Sequence, residues 1–155
     1  MASVLVRPIS VDDFEALAPI DQAFAEMFGL EAAMTRSSLN FYARSGHAFV
    51  SVENAETTGF VLAQSVWNGT KAVVYTYRLA VKDLKNTGNG LASREALTEA
   101  VIKSAYDAAV YDLRVLQPDA DAQQQGVLEA KAYKPAAVTL YSRTLGSRGQ
   151  GSQGG

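Results

Sequence analysis

The sequence predicts an α/β (α+β) domain in which helices flank a mixed, centrally antiparallel β-sheet, in the order β-α-α-β-β-β-α-β-α-β. Two observations carry this prediction. Three β-rich runs follow one another in the middle of the chain, and Asn68-Gly69, the dipeptide most typical of a tight hairpin turn, separates the last two. A single helical run then lies between two further β-rich runs, and such a crossover favours a parallel pair of strands.

The composition is that of a globular protein and excludes several kinds of site. The chain has 155 residues, of which 48% are hydrophobic and 19% charged, enough for one domain with a sizeable core. It has no cysteine, and His47 is its single histidine, so we expect neither disulfides nor a bound metal. A net charge of −2 gives no sign of a nucleic-acid partner. No run resembles a signal peptide or a membrane span, so we expect a cytoplasmic protein without membrane contact.

The first third of the chain predicts one strand and two helices. Residues 4–9 form a short β-rich run. Ser10 or Asp12 can cap the helix that follows, in which Pro19 is expected to cause a kink or an interruption. Residues 30–46 form the second helical region.

The rest of the chain predicts the body of the sheet, two helices and a tail. The tail, residues 146–155, is rich in Gly, Ser and Gln, so we expect one domain over 1–145 and a flexible, dispensable end. The predicted elements are strands at 47–54, 59–67 and 72–81, a helix at 91–109, a strand at 110–116, a weaker helix at 119–132 and a last strand at 136–145.

A glycine-rich loop, Lys85-Asn86-Thr87-Gly88-Asn89-Gly90, lies between the third of the central strands and the long helix. Glycines let a backbone approach a ligand closely, and the unpaired N–H groups and the dipole at the start of a helix attract anions. The same composition is also that of an ordinary solvated turn. The loop alone therefore leaves phosphate binding and a simple change of chain direction both open.

With the element order around it, this loop resembles the general-control-type N-acetyltransferase (GNAT) superfamily over residues 3–145. Members have a strand ending in Leu-Ala-Val, a loop of the form Gln/Arg-x-x-Gly-x-Gly/Ala and then a long helix. Here the strand ends in Leu79-Ala80-Val81, and Lys85 stands where Gln or Arg is usual. The stretches FYARSGHAFVSVEN and GFVLAQSVWNG look, more narrowly, like a small bacterial subfamily of unknown function with this fold.

The resemblance implies acetyl-CoA as cosubstrate and the amine of a small molecule or a protein as acceptor; it leaves a homodimer open. The backbone amides of the loop would bind the pyrophosphate of the cofactor, and the strand end would bind its pantetheine arm. The cofactor-binding residues that it implies are Leu79, Ala80, Val81, Lys85, Asn86, Thr87, Gly88, Asn89, Gly90 and Leu91.

The usual catalytic residues of the superfamily are not evident. The Tyr that often donates a proton falls on Leu128, and the strand that often carries a Glu base has no carboxylate. Tyr75 and Tyr77, which share a face if that strand is regular, are candidate proton carriers, and Glu26 is a candidate at the acceptor cleft. Aromatic packing in the sheet and a solvated helix face are the competing interpretations.

Three functions remain open at this point. The leading hypothesis is an N-acyltransferase in which an amine attacks the bound thioester directly, and positioning and carbonyl polarisation supply most of the rate. A second is a non-catalytic acyl-CoA sensor with the same fold, which the missing Tyr and Glu favour. A third is a protein-interaction module that binds no CoA.

Overall fold

The computed structural model describes residues 3–146, and its strands form one five-stranded sheet in the order β1-β2-β3-β4-β5. Neighbouring strands are antiparallel as far as β4, whereas β4 and β5 are parallel. The predicted mixed α/β fold class is therefore confirmed. The elements are β1 (Leu5–Pro8), α1 (Phe14–Phe28), α2 (Arg36–Ala43), β2 (Phe49–Glu53), β3 (Glu56–Trp67), β4 (Ala72–Val81), α3 (Gly90–Asp107), β5 (Leu113–Val115) and α4 (Ala122–Ala130).

Tight turns join the central antiparallel strands. Between β2 and β3, Asn54 and Ala55 have φ angles of 52° and 63°, and two consecutive positive φ angles suit a two-residue hairpin loop. Between β3 and β4, Gly69 has a φ of 95°. The side chain of Asn68 accepts the backbone N–H of Lys71 there at 2.9 Å. The hairpin predicted from Asn68-Gly69 is thus confirmed.

Each face of the sheet carries its own hydrophobic core. Because alternate residues of a strand point to opposite faces, Ala80 of β4 packs on one side while Leu79 and Val81 pack on the other. The helices α1 and α2 cover the first face and α3 covers the second. Among the buried side chains are Leu17, Phe24, Leu39, Phe60 and Leu62 in the first core, and Val61, Val74, Leu97, Val101 and Ala105 in the second.

The first third of the chain differs from the predicted elements in two places. α1 continues through Pro19 without interruption, since only one N–H is lost there and the buried face of the helix, with Phe24, holds it to the sheet. The second helix begins at Arg36 and not near residue 30, because Thr35 caps it. The Thr35 hydroxyl oxygen accepts the Ser38 N–H at 3.0 Å, and the Thr35 N–H donates to the Ser38 hydroxyl at 2.9 Å.

The predicted last strand does not form within the described residues. Residues 136–145 lie outside every helix and strand, and all their side chains are exposed. A strand requires a neighbour for its backbone groups, and no strand of the described chain lies beside this segment. The proposed flexible tail lies, beyond residue 146, outside the described residues.

Two further features bear on the expected partners. Across residues 3–146, no helix is long and apolar enough to cross a membrane. In the same part of the chain, no group of three or more His, Asp or Glu side chains is placed to hold a metal ion.

Candidate functional site

The carboxylate of Asp83 lies at the centre of the glycine-rich loop. Its Oδ2 accepts the backbone N–H groups of Gly88 and Gly90, each at 2.7 Å. Its Oδ1 accepts the backbone N–H and the hydroxyl of Thr87, each at 3.0 Å. Three amides at the start of α3 therefore converge on one anion, which is the geometry of an anion-binding turn, and a side chain of the chain itself supplies the anion.

The charge of Asp83 is well stabilised in this position. Partial burial acts to raise the pKa of Asp83, but hydrogen bonds from Gly88, Thr87 and Gly90 outweigh it, and the pKa lies below its ordinary value. The carboxylate is thus ionised at neutral pH. Sequence reasoning missed this residue, although an Asp just ahead of a Gly-rich loop is a usable signal, because its side chain readily accepts nearby backbone N–H groups.

The loop itself requires glycine at position 90. A Cβ on Gly90 would lie 2.2 Å from the Asp83 carbonyl oxygen and 2.6 Å from the Asn86 side-chain oxygen, whereas a Cβ on Gly88 would meet only Asp83, at 3.7 Å. Neither glycine has a positive φ; the left-handed residue of the loop is Asn86, with a φ of 55°. At Gly90 the requirement for glycine therefore comes from contacts within the chain.

Arg94, which is fully buried, ties the loop to α4. Its Nη2 donates to the Leu84 carbonyl at 3.1 Å and its Nε donates to the Asn86 side chain at 3.2 Å. Its Nη1 donates to Asp121 at 3.1 Å and to Gln124 at 3.3 Å. One cation thus holds the loop, α3 and the first turn of α4 together, and its full burial requires the Asp121 charge beside it.

The pairing of β4 with β5 ends at Thr76 and Val115, and the space lined by both strands at this point is called here the gap. The predicted pantetheine-binding residues Leu79, Ala80 and Val81 lie on β4 past this point and are buried. The cavity in the gap measures only about 10 Å³, room for one water at most. Its lining residues are Val61, Thr76, Leu79, Thr98, Val101, Val115, Gln124, Leu128 and Tyr133.

Tyr133 brings a hydroxyl-bearing side chain to this gap. Burial, together with the nearby charge of Glu99, raises the pKa of Tyr133 to about 12, so its hydroxyl stays protonated at neutral pH and can donate a hydrogen bond. Leu128, where the resemblance places the usual Tyr, lines the same cavity. Sequence reasoning missed Tyr133 because the resemblance placed the usual Tyr at Leu128, five residues earlier in the chain.

The three catalytic candidates named from the sequence do not line this gap. In the β3–β4 ladder, Leu62 pairs with Arg78 and Ala63 pairs with Thr76. Tyr77 is therefore the extra residue of a bulge, and the regular alternation that predicted a shared face for Tyr75 and Tyr77 is interrupted between them.

The surroundings of these candidates differ. Tyr77 is 46% exposed, and its ring centroid lies 5.7 Å from the guanidinium of Arg78. Beside it, burial and then Tyr77 itself raise the pKa of Tyr42. Tyr75 is half-buried, and Glu26 is exposed on α1, where it accepts a hydrogen bond from the Gln22 side chain at 2.9 Å. The structure thus places Tyr77 at the surface beside Arg78 and Tyr42, and Glu26 on an exposed face of α1.

The remaining predicted cofactor-binding residues lie in the glycine-rich loop or directly after it. Lys85, the first residue of the loop, and Leu91, which follows the loop, are exposed. Asn89 lies directly before α3, and its side chain makes no capping hydrogen bond to the helix. The Asn86 side chain, besides accepting from Arg94, donates to Gln123 at 2.8 Å. Hydrogen bonds of Asn86 therefore hold the loop to Arg94 and Gln123, whereas Lys85, Thr87 and Gly88 are exposed to solvent.

The bulged β4, the parallel β5 and the anion-binding turn at the start of α3 define a GNAT acetyltransferase fold. The chain is similar to the aminoglycoside N-acetyltransferase AAC(6')-Iy in complex with CoA, with a TM-score of 0.71 and 12% identity over 93% of this chain and 96% of that one. It is also similar to a ribosomal-protein-alanine N-acetyltransferase from Brucella melitensis biovar Abortus 2308, with a TM-score of 0.72 and 14% identity over 92% and 99% of the two chains. The predicted GNAT-like fold is confirmed.

Within this fold, the chain belongs to the family described as protein of unknown function DUF1999, whose model matches residues 4–154. It is similar to wild-type TTHA1254 from Thermus thermophilus, with 30% identity and a TM-score of 0.74 over 93% of this chain and 99% of that one. A sequence comparison with curated proteins finds no match. The resemblance to a subfamily of unknown function is confirmed as well.

Proposed function

We propose that the protein is an N-acyltransferase that moves an acetyl group from acetyl-CoA to an amine by direct attack. The observation that carries this proposal is the convergence of the Thr87, Gly88 and Gly90 amides on one anion at the start of α3. A solved structure of this fold in complex with CoA supports an acyl-CoA ligand. The acceptor can be a small-molecule or a protein amine.

In this proposal, a cofactor phosphate takes the place of the Asp83 carboxylate. Two anions cannot share the turn, because like charges at contact distance repel strongly. The Asp83 side chain can rotate outward, since the loop borders an open cavity of about 590 Å³. Lys82 lines the same cavity, where it forms an ion pair with Glu56, and it can supply positive charge to the incoming phosphate.

The gap between β4 and β5 is the place for the pantetheine arm, and it has to widen for that purpose. α4 forms one wall, and four polar contacts hold it to α3 without involving the sheet. These are Arg94 to Asp121 at 3.1 Å, Arg94 to Gln124 at 3.3 Å, Gln124 to Thr98 at 3.3 Å and Lys131 to Glu99 at 3.1 Å. A modest displacement of α4 is therefore the expected response to acyl-CoA.

The chemistry needs a polarised carbonyl and a hydrogen-bond donor for the leaving sulfur. A backbone N–H at the end of β4, near Leu79 to Val81, can polarise the thioester carbonyl. The amine then forms a bond to the carbonyl carbon, the carbon–sulfur bond breaks, and the proton lost by nitrogen balances the one gained by the thiolate. With its high pKa, Tyr133 assists by hydrogen bonding to the sulfur, while Tyr75, Tyr77 and Glu26 are the further candidates for carrying the amine proton.

One observation favours a second candidate function, an acyl-CoA sensor without catalysis. The side chains that line the gap include no carboxylate and no histidine, so a general base is not provided at the reaction centre. A sensor would keep the anion-binding turn and the gap and would release the ligand unchanged.

Calorimetry and a thiol-release assay together test the proposal. Acetyl-CoA and CoA are titrated into the protein, and free thiol is then measured with a panel of primary amines. We expect saturable binding of acetyl-CoA and thiol release above the amine-free rate with at least one class of amine. Binding without release establishes the sensor, and absence of binding in both the wild type and a variant without Asp83 refutes both CoA-based functions.

A further inference from the structure

On the basis of the proposed acyl transfer, we further infer that the acceptor is a small amine that also carries a carboxylate and an apolar group, and that Arg78 binds the carboxylate. Arg78 is buried in β4, with only 6% of its side chain exposed. Within residues 3–146, its guanidinium forms one hydrogen bond, from Nη1 to the Asp21 Oδ1 at 2.8 Å. A guanidinium has five N–H donors in a fixed fork, so most of them have no partner there.

The free donors of Arg78 reach solvent and are not enclosed in the core. In the described part of the chain, the Gln117 Oε1 is the only enclosed side-chain polar atom without a hydrogen-bond partner. The nitrogens of Arg78 that lack a partner are therefore accessible, although 94% of the side chain is covered. Donors that are largely shielded from water bind an anion more strongly than exposed donors do. Such a site admits a small ligand and excludes a large protein surface.

Asp21 leaves one side of the Arg78 guanidinium free, because its own charge is shared among several donors. Its Oδ2 accepts the backbone N–H groups of Ala33 and Met34, each at 2.7 Å, in the loop between α1 and α2. Only its Oδ1 accepts from Arg78, and that contact is a single hydrogen bond. A ligand carboxylate can take the free side of the guanidinium, where two parallel N–H groups suit its two oxygens.

Tyr42 of α2 supplies a second donor close to the first. Tyr42 is 9% exposed, and its hydroxyl oxygen is not among the enclosed atoms of residues 3–146 that lack a partner. Burial, and then the nearby Tyr77, raise the pKa of Tyr42, so its hydroxyl stays protonated at neutral pH and can donate. The Tyr77 ring centroid lies 5.7 Å from the Arg78 guanidinium. Arg78 and Tyr42 are thus both neighbours of the Tyr77 ring.

The ring of Tyr77 offers a surface for the apolar part of the ligand. Tyr77 is 46% exposed and is the extra residue of the β4 bulge. An apolar group that covers this ring is removed from water together with the ring itself, which favours binding. An amino acid with a large apolar side chain carries a carboxylate and an apolar group close together. It therefore matches Arg78 and Tyr77 at the same time.

The position of Arg78 suits an acceptor that meets acetyl-CoA at the gap. The pairing of β4 with β5 ends at Thr76, two residues before Arg78. Leu79 lines the gap and packs on the α3 side of the sheet, whereas Arg78 contacts Asp21 of α1 on the opposite side. Beyond the last paired residues, the two faces of the sheet are no longer separated by strand pairing. An amine held at Arg78 therefore lies next to the β4 segment proposed to polarise the thioester.

Two series of amines test the class of acceptor. Phenylalanine, phenylalaninamide and phenethylamine share a ring and an amine, and leucine, leucinamide and isopentylamine form the second series. We expect kcat/KM for thiol release to be at least about tenfold higher with the amino acid of one series than with its two analogues. The amide has the less basic nitrogen and hence more of the attacking neutral amine, so basicity cannot produce this preference. Glycine, which has no apolar group, should be a poorer acceptor than the preferred amino acid.

Arg78→Lys separates recognition of the carboxylate from the ion pair with Asp21. Lysine keeps a positive charge but lacks the second edge of the guanidinium fork. We expect kcat/KM for the preferred amino acid to fall by about tenfold, mainly through KM, and the rate with its amide to change by less than about twofold. Arg36→Lys is the matched control, since Arg36 is exposed and pairs with Glu15 at the surface, and it should change neither rate.

A double variant covers the case in which Arg78→Lys does not fold. Asp21→Asn/Arg78→Met removes both buried charges and keeps a side-chain oxygen for the Ala33 and Met34 N–H groups. It should retain the circular dichroism spectrum of the wild type and lose the preference for the carboxylate. A preference that survives in either variant overturns the role of Arg78.

Calorimetry with phenylalanine and leucine, in the presence of saturating CoA, distinguishes failure of this inference from failure of acyl transfer. Thiol release that is as fast with the amides or the decarboxylated amines as with the amino acids overturns the inference and leaves acyl transfer intact. Binding of an amino acid by the wild type and not by Arg78→Lys, without thiol release from any amine, supports the carboxylate site and refutes acyl transfer. Absence of both binding and release overturns the carboxylate site.

Discussion

The Asp83 carboxylate accepts the backbone N–H of Gly90 at 2.7 Å, at the residue where α3 begins. The start of a helix leaves N–H groups unpaired and carries a partial positive charge, and here an ionised side chain satisfies both. Asp83 thereby closes the loop through contacts within the chain. Any phosphate that uses the same amides has to displace this carboxylate, so its affinity is lowered by whatever Asp83 contributes to the closed loop.

Replacement of Asp83 should therefore separate ligand binding from loop stability. We expect Asp83→Ala to bind acetyl-CoA about tenfold more tightly than the wild type, a gain of about 1.4 kcal/mol, because the amides no longer have an internal partner. The same change should lower thermal stability, since charge-assisted hydrogen bonds are lost. Calorimetry and thermal denaturation measure the two effects.

Asp12→Ala is the matched control for that variant, since it removes one exposed carboxylate far from the glycine-rich loop in sequence. It should change neither acetyl-CoA affinity nor melting temperature appreciably. Weaker binding by Asp83→Ala than by this control would show that the carboxylate organises the loop for the ligand and does not compete with it.

Two glycines make a second test, because the same substitution should have opposite effects at them. Gly90→Ala should destabilise the fold by about 1–3 kcal/mol, since the new Cβ overlaps the Asp83 carbonyl oxygen. Gly126→Ala should stabilise it by about 0.5–1 kcal/mol, because Gly126 lies within α4 and a Cβ there meets nothing within 4 Å. Urea unfolding midpoints report both changes. Equal effects at the two positions would mean that the loop relaxes around the added methyl group.

Local signals in the sequence predicted most of the fold but only part of the candidate site. The turn at Asn68-Gly69 and the loop before α3 depend on residues next to each other in the chain, so their patterns are visible in one dimension. The contact of Arg94 with Asp121 joins residues 27 apart, and the position of Tyr133 in the gap depends on where α4 packs. Neither the ion pair nor the position of Tyr133 can be predicted from residue spacing or composition.

Residues 136–145 show a different limit of sequence-based prediction. These residues favour a strand, but a pattern does not say which edge the segment pairs with. A strand is completed by its neighbour, and the neighbour of this segment is absent from the described chain. The prediction of a last strand is therefore wrong for the isolated chain.

The buried ion pair between Arg94 and Asp121 gives a third prediction. Asp121→Asn keeps a side-chain oxygen for the Gln124 N–H but leaves the fully buried guanidinium uncompensated. We expect a loss of about 3–5 kcal/mol in the free energy of unfolding, measured in urea. The double variant Arg94→Met/Asp121→Asn should recover part of that loss, because no unpaired charge remains. A double variant less stable than the single one would show that the packing of Arg94 matters more than its charge.

His47 predicts a pH dependence of stability. It is buried, its Nδ1 lies 2.8 Å from the Ser104 hydroxyl, and burial lowers its pKa below the ordinary value of 6.5. The unfolded chain therefore binds a proton more readily than the folded one. The contribution of neutral His47 to the free energy of unfolding is therefore fully present above about pH 6.5. It is lost as the pH falls through the lower pKa of the folded state.

His47→Gln should remove that dependence while keeping a polar group near Ser104. Urea unfolding of both proteins at a series of pH values between about 5 and 8 gives the comparison. The wild type should lose stability toward pH 5, and the variant should show a flatter profile over the same range. Parallel profiles would assign the pH dependence to groups other than His47.

The last prediction concerns Tyr133 and depends on acyl transfer. Tyr133→Phe should lower amine-dependent thiol release by about tenfold or more, since the leaving sulfur loses a hydrogen-bond donor. Calorimetry should show unchanged acetyl-CoA affinity, because the loop amides are untouched. With a pKa of about 12, Tyr133 stays protonated from pH 6 to pH 9, so the variant should lower the rate by the same factor across that range. Tyr75→Phe and Tyr77→Phe, which remove hydroxyls outside the gap, test the further candidates for carrying the amine proton, and a change of less than about twofold excludes that role for the residue concerned. Full activity in Tyr133→Phe together with a large loss in Tyr77→Phe would show that Tyr77, in the bulge of β4, carries the proton and that Tyr133 does not.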